Sequence, residues 1–241
     1  MSDEITLYDL ASRQHKCWSL NPWKTRFVLN FKQLPYNTIW LEYPDIKPTL
    51  SPHLPPNSTS TGYSSPTIRL PTNKFISDSR VIATELEQLH PEPSMNLDSV
   101  YLSQVETLMP QIMTALAPLF IPEVPKTILN DASLEYWYET REKRFDGMKL
   151  DQVAKEQGGD IAIRAAQVPL MAVSKLLIEN EGPFFEKEVG YVDFVWCGFL
   201  VFMVKAVGEE WTQKIREIGG VPEVHEKLVE AMKPWLERDD H

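Results

Sequence analysis

Residues Ser64–Arg80 read SSPTIRLPTNKFISDSR, and this stretch decides the fold class that the sequence predicts. Thr67–Leu70 and Lys74–Ile76 are predicted to be the two strands of a hairpin that turns at Pro71–Asn73. A proline that opens a strand, here Pro66, can take the cis form. A cis bond would leave the N–H and C=O of the preceding residue free to pair with a peptide backbone laid alongside. A trans proline that merely ends a loop is the alternative.

A helix is predicted to begin at Asp78–Ser79, directly after this hairpin. Its apolar side chains recur at helical spacing and would form one face: Val81, Ile82, Leu86 and Leu89. Together with the free N–H groups of the helix start, the Ser79 hydroxyl could bind a carboxylate, and Asp78 could take an ammonium group. This pair therefore fits the head group of an α-amino acid, with ordinary helix capping as the alternative.

The residues before the hairpin alternate between strand and helix signals. Ile5–Leu10 and Asn37–Tyr43 are predicted strands, because apolar, β-branched or aromatic residues dominate both. Between them, Asn21 is predicted to cap a helix that continues with proline at its first position. Pro44–Ser65 is rich in proline, serine and threonine, and we expect no regular helix there.

The loop before this first helix is a candidate thiolate site. A helix N-terminus favours an anion and lowers the pKa of a thiol. Ser19 or Asn21 could donate a hydrogen bond to an incoming sulfur and hold it ionised. Cys17 offers a rival chemistry, a mixed disulfide, although Leu20 stands where a Cys-x-x-Cys motif would have its second cysteine.

The rest of the chain is predicted to be helical, which gives two domains: a small α/β domain over residues 1–92 and an all-helical domain over residues 98–241. Only one of the ten glycines, Gly62, precedes Gly147, so a glycine-rich phosphate loop of the dinucleotide-binding or P-loop type is excluded. The histidines show no metal-ligand spacing, so no metal site is expected.

Charge and cysteine content restrict the class of protein. The 241-residue chain has 24 basic and 34 acidic residues, a formal net charge of −10. Such acidity argues against nucleic acid and anionic membrane surfaces as partners. Two cysteines and an acidic N-terminus without signal-peptide features lead us to expect a cytoplasmic protein.

The order of these elements resembles the cytosolic glutathione transferase superfamily over essentially the whole chain. Three segments resemble its fungal FuA class, which is related to bacterial etherases: Trp18–Arg26, Glu42–Ile46 and Tyr136–Glu142. That class has an insertion before the cis-proline strand, which would fall at about residues 44–65 here. Gly190 and Asp193 resemble the superfamily's helix-capping box, with glycine in place of the usual serine or threonine.

The resemblance implies a thioredoxin-like N-terminal domain, an all-helical C-terminal domain, and glutathione as co-substrate without another cofactor. The residues that it assigns to glutathione are Ser65, Pro66, Asp78 and Ser79. Trp23 and His53 are further candidates: His53 could meet the glycine carboxylate of glutathione, with a solvent-exposed loop histidine as the alternative. Either Ser19 or Asn21 would stabilise the thiolate. A homodimer is expected, of a geometry that the insertion could alter.

The co-substrate implied by the resemblance is a hydrophobic, aromatic electrophile that binds between the domains. Met109, Ile112, Phe120 and Tyr138 are the candidate pocket residues, although such a stripe is also typical of plain helix core. Two alternatives stay open: a non-catalytic carrier of aromatic or phenolic ligands, and a thiol transferase that uses Cys17.

Overall fold

The N-terminal part of the chain is built on a mixed four-stranded sheet. The computed structural model describes residues 4–58 and 62–240. The strands are β1 (Ile5–Leu10), β2 (Tyr36–Leu41), β3 (Thr67–Arg69) and β4 (Phe75–Ser77), in the order β2-β1-β3-β4. β1 pairs in parallel with β2 and antiparallel with β3, and β3 pairs antiparallel with β4. The predicted strands and hairpin are therefore present, with β2 ending two residues earlier than expected.

Helix α1 (Leu20–Phe31) begins one residue before the predicted cap. Ser19, in an extended conformation, is the N-cap, so the prediction that Asn21 caps this helix is wrong. Asn21 and Pro22 instead lie in the first turn. Proline costs little there because the first N–H groups of a helix have no intrahelical partner.

The segment after β2 contains a helix that the sequence analysis did not expect. A 3-10 turn at Tyr43–Asp45 leads into α2 (Ile46–Leu50). Ile46 and Leu50 are one helical turn apart and are both buried, at 7% and 1% exposed, so tertiary packing stabilises a helix in a proline-rich stretch. Of the expected insertion at about 44–65, residues 59–61 lie outside the described part of the chain.

Helix α3 (Ser79–Leu89) follows β4, as predicted, and the remainder is helical. The further helices are α4 (Val100–Phe120), α5 (Val124–Thr127), α6 (Asp131–Glu142), α7 (Leu150–Gln157), α8 (Gly159–Ala165), α9 (Gln167–Ile178), α10 (Tyr191–Ile218) and α11 (Pro222–Met232). This is the architecture that the resemblance implied: a thioredoxin-like sheet domain followed by helices.

Helix α10 is the central helix of the C-terminal part, and its start confirms the predicted capping box. The Asp193 carboxylate accepts hydrogen bonds from the N–H of Gly190 (2.8 Å) and of Phe185 (3.0 Å). Burial raises the pKa of Asp193 to about 7, although these bonds act in the opposite direction. The helix is kinked at Gly208, where φ is 84°.

By length and composition α10 could cross a membrane, but 72% of its most apolar stretch is buried inside the protein. The bent pair α8–α9 passes the same test if its two helices are taken as one span. A mostly buried helix of this kind is the usual core of a helical domain, so this finding carries little weight for a membrane span.

Candidate active site

Ser19 has an uncommitted hydroxyl at the start of α1. Its side chain makes no capping hydrogen bond, and none forms with it in the described part of the chain. Ser19 is partly exposed, whereas the Oδ1 atom of the exposed Asn21 accepts a hydrogen bond from Lys24 Nζ at 3.0 Å. The donor atoms of both candidates, Ser19 Oγ and Asn21 Nδ2, therefore have no partner in the described residues, and Ser19 is the one that stands at the N-cap of α1.

The bond between Ser65 and Pro66 is cis, as the sequence analysis anticipated. Ser65 Oγ donates to the carbonyl of Tyr8 on β1 at 3.1 Å. Within the described residues, neither the N–H nor the C=O of Ser65 has a hydrogen-bond partner. An extended peptide could pair with these two groups as an added strand does.

The start of α3 lies beside this proline. The N–H of Asp78 donates to the Pro66 carbonyl at 3.3 Å, and Asp78 adopts a φ of 82°. A non-glycine residue in this region is strained, which is common at binding sites. Asp78 Oδ1 accepts from the N–H of Arg80 at 2.8 Å and thereby caps the helix. Its second carboxylate oxygen forms no hydrogen bond within the described residues.

Ser79 is held by the C-terminal part of the protein. Tyr191, the first residue of α10, donates its hydroxyl to the Ser79 carbonyl at 3.0 Å. Within the described residues, the N–H and Oγ of Ser79 have no partner. These donors at a helix N-terminus are suited to a carboxylate.

The starts of α1 and α3 are electrostatically coupled through Lys24. Burial lowers the pKa of Lys24, while the nearby carboxylates of Glu106 and Asp78 act to raise it. Lys24 also donates a hydrogen bond to Asn21, so the same side chain interacts with the first turn of α1 and with the acidic start of α3. Lys24 on α1 is thus near enough to Asp78, at the start of α3, for their charges to interact.

His53 packs on the edge strand β4. Its ring stacks on Phe75 with the ring centroids 4.2 Å apart and the planes 2° from parallel. Phe75 in turn stacks on Tyr8, whose carbonyl accepts from Ser65. His53 is exposed, so its ring can still meet a ligand at this end of the site.

Trp23 does not contribute an open surface to the site, which corrects the expectation drawn from the resemblance. It is 1% exposed and packs on Phe27, with ring centroids 5.3 Å apart. Its Nε1 atom is buried and has no hydrogen-bond partner in the part of the chain that the structure describes. The cause is the long α10, which packs against Trp23 at Gly198.

The expected acceptor wall is mostly helix core. Ile112 has no exposed surface, and Met109 and Phe120 are 6% and 7% exposed. Phe120 packs edge to face on Phe202 at 5.1 Å. Only Tyr138, at 38% exposed, presents a ring to solvent. Met109, Ile112 and Phe120 therefore lie in the helix core, which is the alternative that their spacing left open.

A cluster that the sequence analysis did not assemble joins the end of β2 to α6. Tyr43 stacks on Tyr136 at 5.7 Å and meets Trp137 edge to face at 5.3 Å. The neighbouring Glu42 accepts hydrogen bonds from Asn130 and Ser133 at the start of α6. Both segments resemble the fungal FuA class in sequence, but only the fold shows that they contact each other.

This cluster reaches the Ser19 loop through tryptophans. Trp137 meets Trp18 edge to face with ring centroids 6.5 Å apart, and Trp18 directly precedes Ser19. Burial raises the pKa of Tyr43 to about 12, although the charge of Arg141 acts in the opposite direction, so its phenol stays protonated at neutral pH.

Cys17 is not placed for thiol chemistry. It is fully buried, and burial, followed by the charge of Asp9, raises its pKa well above the ordinary thiol value. A reactive cysteine needs exposure and a lowered pKa. The thiol-transferase alternative is therefore wrong for Cys17 in this conformation. In the described residues, no group of three His, Cys, Asp or Glu side chains could hold a metal ion.

Comparison with known proteins agrees with this arrangement. The glutathione S-transferase-like protein ustS of Aspergillus flavus is 29% identical, over 92% of this chain and 86% of its own. A glutathione S-transferase of Ceriporiopsis subvermispora, solved in complex with glutathione, is 29% identical with a TM-score of 0.83, covering 96% of this chain and 97% of its own. Glutathione transferase GSTFuA3 from Phanerochaete chrysosporium is 25% identical with a TM-score of 0.84, covering 98% of each chain.

Family matches cover both parts of the chain. Residues 18–89 match the N-terminal domain of glutathione S-transferases, and residues 103–235 match their C-terminal domain. The expected likeness to the fungal FuA class is confirmed by its structural neighbours. The chain belongs to the glutathione S-transferase family.

Proposed function

We propose that this protein conjugates glutathione to hydrophobic, aromatic electrophiles. The observation that carries the proposal is a set of polar groups without a partner in the described residues: the backbone of Ser65 at the cis-proline, the N–H and hydroxyl of Ser79 at the start of α3, and the hydroxyl of Ser19 at the start of α1. The backbone of Ser65 would pair with the cysteinyl part of glutathione. Ser79 would bind the γ-glutamyl carboxylate, Asp78 its ammonium group, and His53 the glycine carboxylate.

Ser19 would act on the sulfur. The glutathione thiol loses its proton to solvent, and the Ser19 hydroxyl donates a hydrogen bond to the thiolate that remains. The N-terminus of α1 adds a partial positive charge at the same place. The thiolate then attacks an electrophilic carbon, forming a C–S bond while the leaving group, where there is one, departs with its electron pair. Asn21 is the second candidate donor.

Glutathione titration by calorimetry tests the binding half of this proposal. Asp78→Asn keeps a good helix cap but removes the charge that would meet the ammonium group, and Ser79→Ala removes a carboxylate donor. We expect each variant to weaken binding by about tenfold, the effect of a hydrogen bond to a charged group. Ser99→Ala, which removes the side-chain cap of α4, controls for a general loss of helix stability. Wild-type protein that does not bind millimolar glutathione would refute the proposal.

Aromatic ligands are the second half of the proposal, and here binding and turnover must be separated. The half-buried ring of Tyr136 and the exposed ring of Tyr138 support an aromatic ligand beside the Ser19 loop. Saturable aromatic binding without conjugation of any electrophile would favour the carrier alternative over the transferase. The homodimer and the cytoplasmic location stay predictions, and sedimentation and fractionation test them.

A further inference from the structure

Two arginines lie at the aromatic cluster that joins β2 to α6. Arg141, in the last turn of α6, is only 9% exposed. Its guanidinium carbon lies 4.4 Å from the ring centroid of Trp137 and 5.3 Å from that of Tyr43. Arg144 follows one turn later, in a 3-10 turn, and is exposed.

Neither arginine has a carboxylate within 4.0 Å in residues 4–58 and 62–240. Of the acidic side chains nearest in sequence, Glu139 pairs with Lys143 at 2.8 Å and Glu142 with Lys149 at 2.7 Å, while Asp146 forms no ion pair within the described residues. Within the described residues, Arg141 donates to the Thr140 hydroxyl at 2.9 Å and interacts with the phenol of Tyr43, and both of these partners are uncharged.

A buried charge without a counter-charge is costly, and it normally pairs with a carboxylate or with a ligand. The protein has a net charge of −10, so acidic residues are plentiful, yet none in the described residues forms an ion pair with either arginine. The charges of the two guanidinium groups interact with each other, so the pair forms a local cationic site on an acidic protein. Cation–π contacts orient Arg141 but do not neutralise its charge.

We propose that Arg141 and Arg144 bind the anionic group of a planar aromatic ligand whose ring packs against Tyr43 and Tyr136. A guanidinium group is suited to a carboxylate because its N–H groups match the two oxygens. The two tyrosine rings are stacked 15° from parallel, and both are partly exposed, so a third planar ring can extend the stack.

The site lies next to the proposed reaction centre. Trp137 contacts Arg141 on one side and Trp18 on the other, and Trp18 precedes Ser19. The inference rests on the proposed function in one respect, because it names the chemical class of the aromatic ligand. It predicts an acidic aromatic compound, not a neutral one.

Calorimetry with a matched pair of probes, naphthoate and naphthamide, tests the inference. The two have the same ring and nearly the same size, but only naphthoate is charged at neutral pH. We expect wild-type protein to bind naphthoate about tenfold more tightly than naphthamide. We expect Arg141→Met and Arg144→Gln each to remove most of that preference. Arg164→Gln removes the same charge from an exposed position on α8 and should leave it unchanged.

Thermal unfolding separates ligand recognition from a structural role of Arg141. If the charge is kept for a ligand, Arg141→Met melts no lower than wild type, because it removes a costly buried charge, and saturating naphthoate raises the melting temperature of wild type only. Equal affinities for the two probes, or a preference that survives both substitutions, would overturn the inference. So would the absence of naphthoate binding at millimolar concentration. Glutathione conjugation is assayed separately, so normal turnover without anion preference refutes this site while leaving the proposed function standing.

Discussion

The backbone N–H of Cys17 donates a hydrogen bond to the carbonyl of Asp239, with 2.6 Å between nitrogen and oxygen. The C-terminal tail therefore lies against the loop that carries Ser19. Lys16 adds an ion pair to the Asp239 carboxylate at 3.0 Å, and the ring of Tyr36 is covered by the guanidinium of Arg238 at 4.2 Å.

Removing residues 237–241 should make Cys17 reactive. In the intact chain both cysteines are buried, so we expect no rapid labelling by a maleimide. The truncated chain loses the cover over the loop, and mass spectrometry should count one fast-reacting thiol. That thiol should disappear in a truncated Cys17→Ser variant. Rapid labelling of Cys17 in the intact protein would contradict the burial described above.

Ser19→Ala should reduce glutathione conjugation more than Asn21→Ala does. Loss of a hydrogen bond to an anion lowers the rate about 10- to 100-fold near neutral pH. It also raises the pKa of the bound thiol, so the pH–rate profile of Ser19→Ala should move to higher pH. The opposite ranking of the two variants would assign the thiolate to Asn21.

His225 should make the protein sensitive to acid. It is buried between Trp196, which donates to its Nδ1 at 2.9 Å, and Ser174, which lies 2.8 Å from its Nε2. Burial lowers the pKa of His225 to about 4, below the value near 6.5 of an unfolded chain. Since only the unfolded state takes up this proton between those values, stability falls as the pH decreases from about 6.5 to 4.

Urea titrations measure this effect as a difference between variants. The free energy of unfolding should fall by up to about 1.4 kcal/mol per pH unit more steeply in wild type than in His225→Gln. Parallel pH dependences for the two proteins would mean that His225 takes up its proton as readily in the folded state as in the unfolded chain.

Asp9→Asn should be strongly destabilising. Asp9 Oδ2 accepts from Arg26 Nε at 2.8 Å, and both side chains are fully buried. Removal of one partner leaves an uncompensated buried charge, which costs about 3–5 kcal/mol. The double variant Asp9→Leu with Arg26→Met should be less destabilised than Asp9→Asn in denaturant titrations. If both are equally destabilised, packing and not charge explains the loss.

The sequence analysis was most accurate for features that depend on residues close together in the chain. The cis bond at Pro66, the Asp78 cap and the Gly190–Asp193 box depend on residues close together in the chain, so their chemistry can be read from the local sequence. The cap of α1 was misplaced by two residues, because Ser19 and Asn21 are both good capping residues. Which one begins the helix depends on where the chain enters it.

Trp23 and Ile112, which the sequence analysis assigned to ligand surfaces, are buried by segments that are distant in the chain. Their residue types fit either a pocket or a core, and sequence does not tell which helix covers them. Only α10, some 170 residues beyond Trp23, decides that this ring is buried.

By itself, the sequence determined the order of strands and helices, the helix start at Asp78–Ser79 and the family that this order resembles. The tertiary structure alone decided that Cys17 is buried with its N–H bonded to the C-terminal tail, and that, among the described residues, the Ser19 hydroxyl has no partner and Arg141 stands beside Tyr43 without a counter-charge. Turns and caps form between neighbouring residues, so sequence specifies them directly. Exposure and charge pairing depend on segments up to about 200 residues apart, and those meet only when the whole chain has folded.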